Sequence, residues 1–121
     1  MMDWTGHGAI VTGGASGLGA ATAEKLAEIG MKVTLFDLND VLGGALASAI
    51  GGRFTNVDVS DPESVQSGVE VAIEAHGTPR VLVNCAGIGP AAKTVSRGAP
   101  HDFGMFDKTI RVNLLGSFNC A

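Results

Sequence analysis

Gly13, Gly17 and Gly19 stand within the run Thr12-Gly13-Gly14-Ala15-Ser16-Gly17-Leu18-Gly19. An apolar run, Ala9-Ile10-Val11, leads in, and a helix-period stretch over residues 20–29 leads out. A strand that stops at a glycine-rich turn and resumes as a helix is a phosphate-binding device. The helix N-terminus offers free N–H groups and partial positive charge. Glycines admit an anion close to the backbone. Asp37 ends a second apolar run about 20 residues further on, where such an arrangement places its ribose-binding acid. Its carboxylate suits a ribose 2′-hydroxyl and would repel a 2′-phosphate. No Lys or Arg falls between Gly13 and Leu18, or at Leu38 and Asn39, so NAD is favoured over NADP. The plain alternative for Asp37 is a helix-capping or loop Asp.

The elements that must position these groups can be read from periodicity. Residues 8–11 form a first strand. The helix after the glycines places Leu18, Leu26 and Ile29 on one face and ends at Gly30. Residues 32–36 form a second strand. Asn39 or Asp40 caps a short helix carrying Leu42, Ala45, Leu46 and Ala49, weakened by Gly43 and Gly44. Residues 53–57 form a third strand, ending at Asp58. Asp61-Pro62 opens the next helix, unless Ser60 and Glu63 form a capping box one residue earlier. That helix turns Val65, Val69, Ala72 and Ile73 inward. Residues 81–83 form a fourth strand, ending in Asn84-Cys85-Ala86-Gly87. A loop over residues 88–101 precedes a last helix from Asp102 or Phe103, with Phe106, Ile110, Leu114 and Phe118 on its apolar face. Four strand–helix alternations predict an α/β fold: a parallel sheet with helices on both faces.

Composition agrees with that class. The chain of 121 residues is 45% hydrophobic, which suits one domain built on strands buried on both faces. A net charge of −4 with no basic cluster argues against nucleic acid or an anionic membrane as partner. Cys85 and Cys120 are the two cysteines. They make no disulfide framework and point to reduced thiols in a cytosol-like, cytoplasmic compartment, the mitochondrial matrix being the alternative. The first residues lack the pattern of a signal peptide, and no apolar run reaches the roughly 20 residues of a membrane span. His7, His76 and His101 are scattered without metal-ligand spacing, so no metal site is expected.

The spacing Thr-Gly-x-x-x-Gly-x-Gly, together with Asn84-Cys85-Ala86-Gly87, resembles the short-chain dehydrogenase/reductase family across essentially the whole chain. The resemblance implies a Rossmann-type doubly wound sheet, of which residues 1–121 would be one NAD-binding domain with the first four of seven strands. It implies that Gly13, Ser16, Gly17, Leu18 and Gly19 line the pyrophosphate turn. It implies that Asp58 accepts from the adenine amino group, with backbone contact from Val59. Asn84, Cys85, Ala86 and Gly87 would let the cofactor pass close to the fourth strand. Cys85 departs from the commoner Asn at its position and reads as a small packing residue and not a nucleophile, since no basic residue or histidine sits near it in sequence to activate it. Asn113, in Arg111-Val112-Asn113-Leu114-Leu115-Gly116, matches the asparagine of the family's catalytic tetrad, which holds a water in a proton relay. The bland reading is a helix Asn bonded to neighbouring backbone.

Within the family, Asn84-Cys85-Ala86-Gly87-Ile88, Lys93-Thr94, Asp102-Phe103 and residues 112–119 resemble the type II 3-hydroxyacyl-CoA dehydrogenase branch, the 17β-hydroxysteroid dehydrogenase type 10 group. That implies a small-molecule substrate, an acyl-CoA or steroid-like alcohol, and a homo-oligomer, a tetramer when complete. The family's general acid/base is a tyrosine with a lysine four residues later. The chain contains no tyrosine. The expectation is therefore the cofactor-binding half of an NAD-dependent oxidoreductase, truncated before the catalytic segment and inactive alone. The alternatives are an NAD(H)-binding module without turnover and, disfavoured by the glycine spacing, an S-adenosylmethionine binder.

Overall fold

A computed structural model describes residues 2–121. The order is β1 (Gly8–Thr12), α1 (Gly17–Glu28), β2 (Lys32–Asp37), α2 (Asp40–Ile50), β3 (Arg53–Asn56), α3 (Pro62–His76) and β4 (Pro79–Asn84). A short hairpin, β5 (Val95–Ser96) and β6 (Ala99–Pro100), precedes α4 (Phe103–Ile110). A π-helical turn, Arg111–Leu115, runs straight on into α5 (Gly116–Cys120).

The main sheet is parallel, in the order β3-β2-β1-β4. All five residues of β1 are buried, because it lies between two strands and under helices on both faces. Its side chains alternate between two cores. Ala9 and Val11 join Val33, Leu35, Ala23 and Ala47 under α1 and α2. Ile10 joins Phe36, Val57, Val65 and Ala72 under α3. Alternate residues of β2 divide the same way, as a strand buried on both faces must.

The caps follow the side-chain chemistry of the sequence. The Asn39 side chain accepts from the Leu42 amide and opens α2. Asp61 accepts from the Glu63 amide, with Pro62 in the first turn of α3. The capping-box alternative at Ser60 does not form, because the Ser60 hydroxyl donates to Asp58 instead.

Four readings of the helices differ from the structure. In α1 the buried residues are Gly19 and Ala23, while Leu18 is 84% exposed and Ile29 is exposed. Small residues let this helix sit close to the sheet, so the large ones are left outside. In α2 Gly43 is no weak point: a Cβ there would strike the Phe54 ring, so the glycine permits the helix–strand contact. In α3 Gly68 replaces Ile73 on the inner face. The stripe Phe106, Ile110, Leu114, Phe118 is exposed throughout. The face that packs is Val112, Gly116 and Cys120, against the core around Val57 and Val59. The loop after β4 also holds more structure than expected, since Arg97 (φ 51°) and Gly98 (φ 77°) turn the β5–β6 hairpin in left-handed conformations.

Candidate functional site

The strand order reverses at β1, which has β2 on one side and β4 on the other. Beyond the carboxyl ends of strands at such a reversal a crevice opens, because the crossovers leave in opposite directions. Here that crevice is an open cleft of about 440 Å³. Each sequence-predicted segment sits at the end of one strand: the glycine turn after β1, Asp37 at the end of β2, Asp58 past β3, and Cys85 after β4.

The floor of the cleft is the glycine turn, with Gly13, Ser16, Leu18 and Gly19 facing it. Gly13 has φ +62°, and a Cβ on it would lie 2.8 Å from the Ala86 amide nitrogen. Only glycine lets the turn press against the segment after β4. Ser16 takes the N-cap of α1 with an extended backbone (φ −153°, ψ 167°) and makes no side-chain cap hydrogen bond. No acid lies in the first turn of α1. This helix start therefore keeps its attraction for an anion.

Asp37 and Asp58 stand on one wall. One oxygen of Asp37 accepts from the Ala15 amide at 3.1 Å and the other from the Asn39 amide at 3.0 Å. The acid thus ties the end of β2 to the glycine turn. Asp58 is exposed, and its Oδ1 accepts from both the amide and the hydroxyl of Ser60, at 3.0 and 2.6 Å. Val59 lines the cleft behind it.

The opposite wall is Cys85, Ala86 and Gly87, continued by Ile88. The buried Thr12 side chain holds it in place: its Oγ1 accepts from the Cys85 and Ala86 amides, each at 3.1 Å. Asn113 holds the next residue. Its Oδ1 accepts from the Ile88 amide at 2.9 Å, and its Nδ2 donates to the Ile88 carbonyl at 2.8 Å. A Cβ on Gly87 would lie 3.3 Å from Asn113 Oδ1. Asn113 is exposed and sits in the π-helical turn. Its partner is the backbone of the loop after β4, not of its own helix. Its carbonyl accepts from the Ser117 hydroxyl at 2.8 Å.

Of the residues expected here, Gly17, Asn84 and Asn113 do not line the cleft. Gly17 opens α1 at φ +56°, Asn84 closes β4, and Asn113 acts through Ile88. Phe36, Leu38, Val57 and Ile88 line it and were not foreseen. Thr12 was legible only as part of the glycine run. Asn119, whose amide donates to the Val59 carbonyl at 2.9 Å, was legible only as part of the family-like run over residues 112–119. Chemically, the cleft offers backbone N–H groups at one helix start, two carboxylates on one wall and small residues on the other. That set suits a ligand with a phosphate in the middle and hydrogen-bond donors at one end. No helix of the described residues is long and apolar enough to cross a membrane.

Comparison with known proteins agrees with this geometry. The family model for short chain dehydrogenase matches residues 7–121. The chain is 42% identical over 115 residues to 3-hydroxyacyl-CoA dehydrogenase type-2 of Homo sapiens, covering 92% of this chain and 44% of that protein. It is 37% identical to tropinone reductase-like 1 of Erythroxylum coca, covering 93% of this chain and 42% of that protein. A crystal structure of ribose-5-phosphate isomerase from Brucella melitensis 16M matches with a TM-score of 0.85 and 32% identity. That match covers 98% of this chain and 45% of the other. The chain thus spans less than half the length of the curated relatives it matches. A fold shared with a protein named as an isomerase carries no chemistry by itself; the family model and the sequence identities decide the assignment. This chain belongs to the short-chain dehydrogenase family of oxidoreductases.

Proposed function

We propose that this chain is the cofactor-binding part of an NAD-dependent dehydrogenase that oxidises a secondary alcohol, of 3-hydroxyacyl-CoA or hydroxysteroid type, to a ketone. The observation that carries the reading is the tie between Asp37 and Ala15. It holds a ribose-binding acid beside a phosphate-binding turn. The likeness to 3-hydroxyacyl-CoA dehydrogenase type-2 supports the substrate class.

The residues fit a dinucleotide. A Cβ at Gly13 would strike the segment after β4, and the hydroxyl of Ser16 carries no cap bond. In this reading the amides at the start of α1, with Ser16, hold the pyrophosphate. Asp37 accepts from the adenosine ribose, and Asp58 from the adenine amino group. Val59 backs the adenine. Ala86 and Gly87 leave room past β4, with Asn84 and Cys85 keeping that segment on the strand. Asn113 orients Ile88 and, as in the family's tetrad, supports a proton path. When bound, NAD supplies the hydride acceptor, and the chain's contribution is its position. None of the 121 residues is a tyrosine, so none of them is the family's proton-transferring group.

A second reading is an NAD(H)-binding module without turnover. Fluorescence titration with NADH, followed by assay with a hydroxyacyl-CoA, separates the readings. Saturable binding by residues 1–121 without turnover, and turnover by a longer protein containing them, is the expected result. Failure to bind NADH overturns both. NADH binding without turnover by the longer protein leaves the module.

A further inference from the structure

We propose that Asn56 is a positioning residue that strengthens discrimination against a 2′-phosphate, by holding the Asp40 carboxylate on the turn that carries Asp37. The inference rests on the NAD reading and deepens it.

Asn56 closes β3 with an exposed side chain. Its amide nitrogen has two hydrogens, and both are engaged on the neighbouring turn. One goes to the Leu38 carbonyl at 3.1 Å and the other to Asp40 Oδ1 at 2.8 Å. Leu38 lines the cleft directly after Asp37. The Asp37 carboxylate is held within its own neighbourhood, by the Ala15 and Asn39 amides. The Asp40 carboxylate receives its bond from a different strand.

Asp40 is the first residue of α2. A helix start attracts anions, and one next to the ribose acid would by itself favour a 2′-phosphate. Two features cancel that attraction. The Asn39 side chain already accepts from the Leu42 amide. Asp40 adds its own negative charge, and Asn56 holds that charge in place rather than leaving it free to swing into solvent. No Lys or Arg occurs anywhere from residue 33 to residue 52 to offset it. An incoming 2′-phosphate would meet the Asp37 carboxylate in the cleft and feel the field of Asp40, which lies three residues on and outside the cleft lining, whereas an uncharged 2′-hydroxyl would not be repelled.

The test measures NADH and NADPH dissociation constants by fluorescence for the parent, Asp40→Asn and Asn56→Ala, with melting temperatures as the folding check. Asp40→Asn keeps an oxygen for Asn56 and removes only charge. It should lower the NADPH-to-NADH ratio of dissociation constants about three- to tenfold, the scale of one screened unit charge acting on a phosphate. Asn56→Ala should lower the ratio in the same direction, and both effects should shrink at high salt. An unchanged ratio in either variant overturns the proposal. Equal weakening of both dinucleotides in Asn56→Ala marks a purely structural role and overturns it as well. A parent protein that binds neither dinucleotide overturns the NAD reading itself, a result distinguishable from the other two.

Discussion

Asp37 and Ala15 are 22 positions apart in the chain, and the Asp37 carboxylate accepts the Ala15 amide hydrogen at 3.1 Å. One side chain therefore does two things. It closes the turn at the end of β1 onto the end of β2, and it presents a carboxylate to the cleft between them. Asp37 and the turn are thus neighbouring surfaces of one cleft.

Replacing Asp37 with Ala should weaken NADH binding by about 1.5–3 kcal/mol, the range for a hydrogen bond to a charged group. Fluorescence titration at constant salt measures it. Unchanged affinity would remove Asp37 from the ribose role.

Gly13 and Gly17 form a matched pair. Both have positive φ, but a Cβ on Gly13 would meet Ala86 whereas one on Gly17 meets nothing within 4 Å. Gly17→Ala should cost only the backbone term, about 1–2 kcal/mol. Gly13→Ala adds overpacking and should cost about 2–4 kcal/mol. Urea unfolding of the two variants checks the order, and equal losses would contradict the packing argument.

Asn113→Ala removes both bonds to Ile88. Because the site is exposed, the loss should be modest, about 1–2 kcal/mol for two ordinary hydrogen bonds. The local signature should be larger than the global one. Hydrogen exchange at the Ile88 amide should accelerate well beyond that of the β1 amides.

Burial pushes the Cys120 thiol above its usual range, since the interior disfavours the thiolate. A raised pKa means less thiolate at any given pH. Alkylation of Cys120 by iodoacetamide should therefore be slower than that of a free thiol at pH 8, and should climb only as pH passes the raised value. Peptide mapping across a pH series reads the two cysteines separately. Full reactivity of Cys120 at neutral pH would show that α5 does not stay packed on the core.

Residues at strand ends were legible in the sequence. The glycine turn, Asp37, Asp58 and the segment after β4 each follow a predicted strand, and in a parallel sheet the carboxyl ends of the strands face one crevice. The helix faces were harder to read. Hydrophobic periodicity weighs large residues, but α1 and α5 turn Gly19, Ala23 and Gly116 inward, Gly116 against Val59, and leave Leu18 and Phe118 outside. The π-helical turn also breaks the 3.6-residue period across the stretch where the apolar stripe was drawn. The tethers Asn113–Ile88, Asn119–Val59 and Asn56–Asp40 span 25, 60 and 16 positions. No local pattern marks such pairs, because neither partner alters the run of residues around the other.

The position of β1 in the sheet also bears on when the cleft comes into being. Thr12 receives the Cys85 and Ala86 amides, which follow it by 73 and 74 positions. On a ribosome, the residues of β1, β2 and β3, with their crossover helices, emerge before those of β4. The residues of the glycine turn and both carboxylates are therefore synthesised before the strand that covers the other side of β1. The second wall arrives only when β4 docks on that side. On the proposed reading, a dinucleotide would meet only half of its surface on the growing chain, and any stabilisation it gives would begin after that late strand has left the exit tunnel.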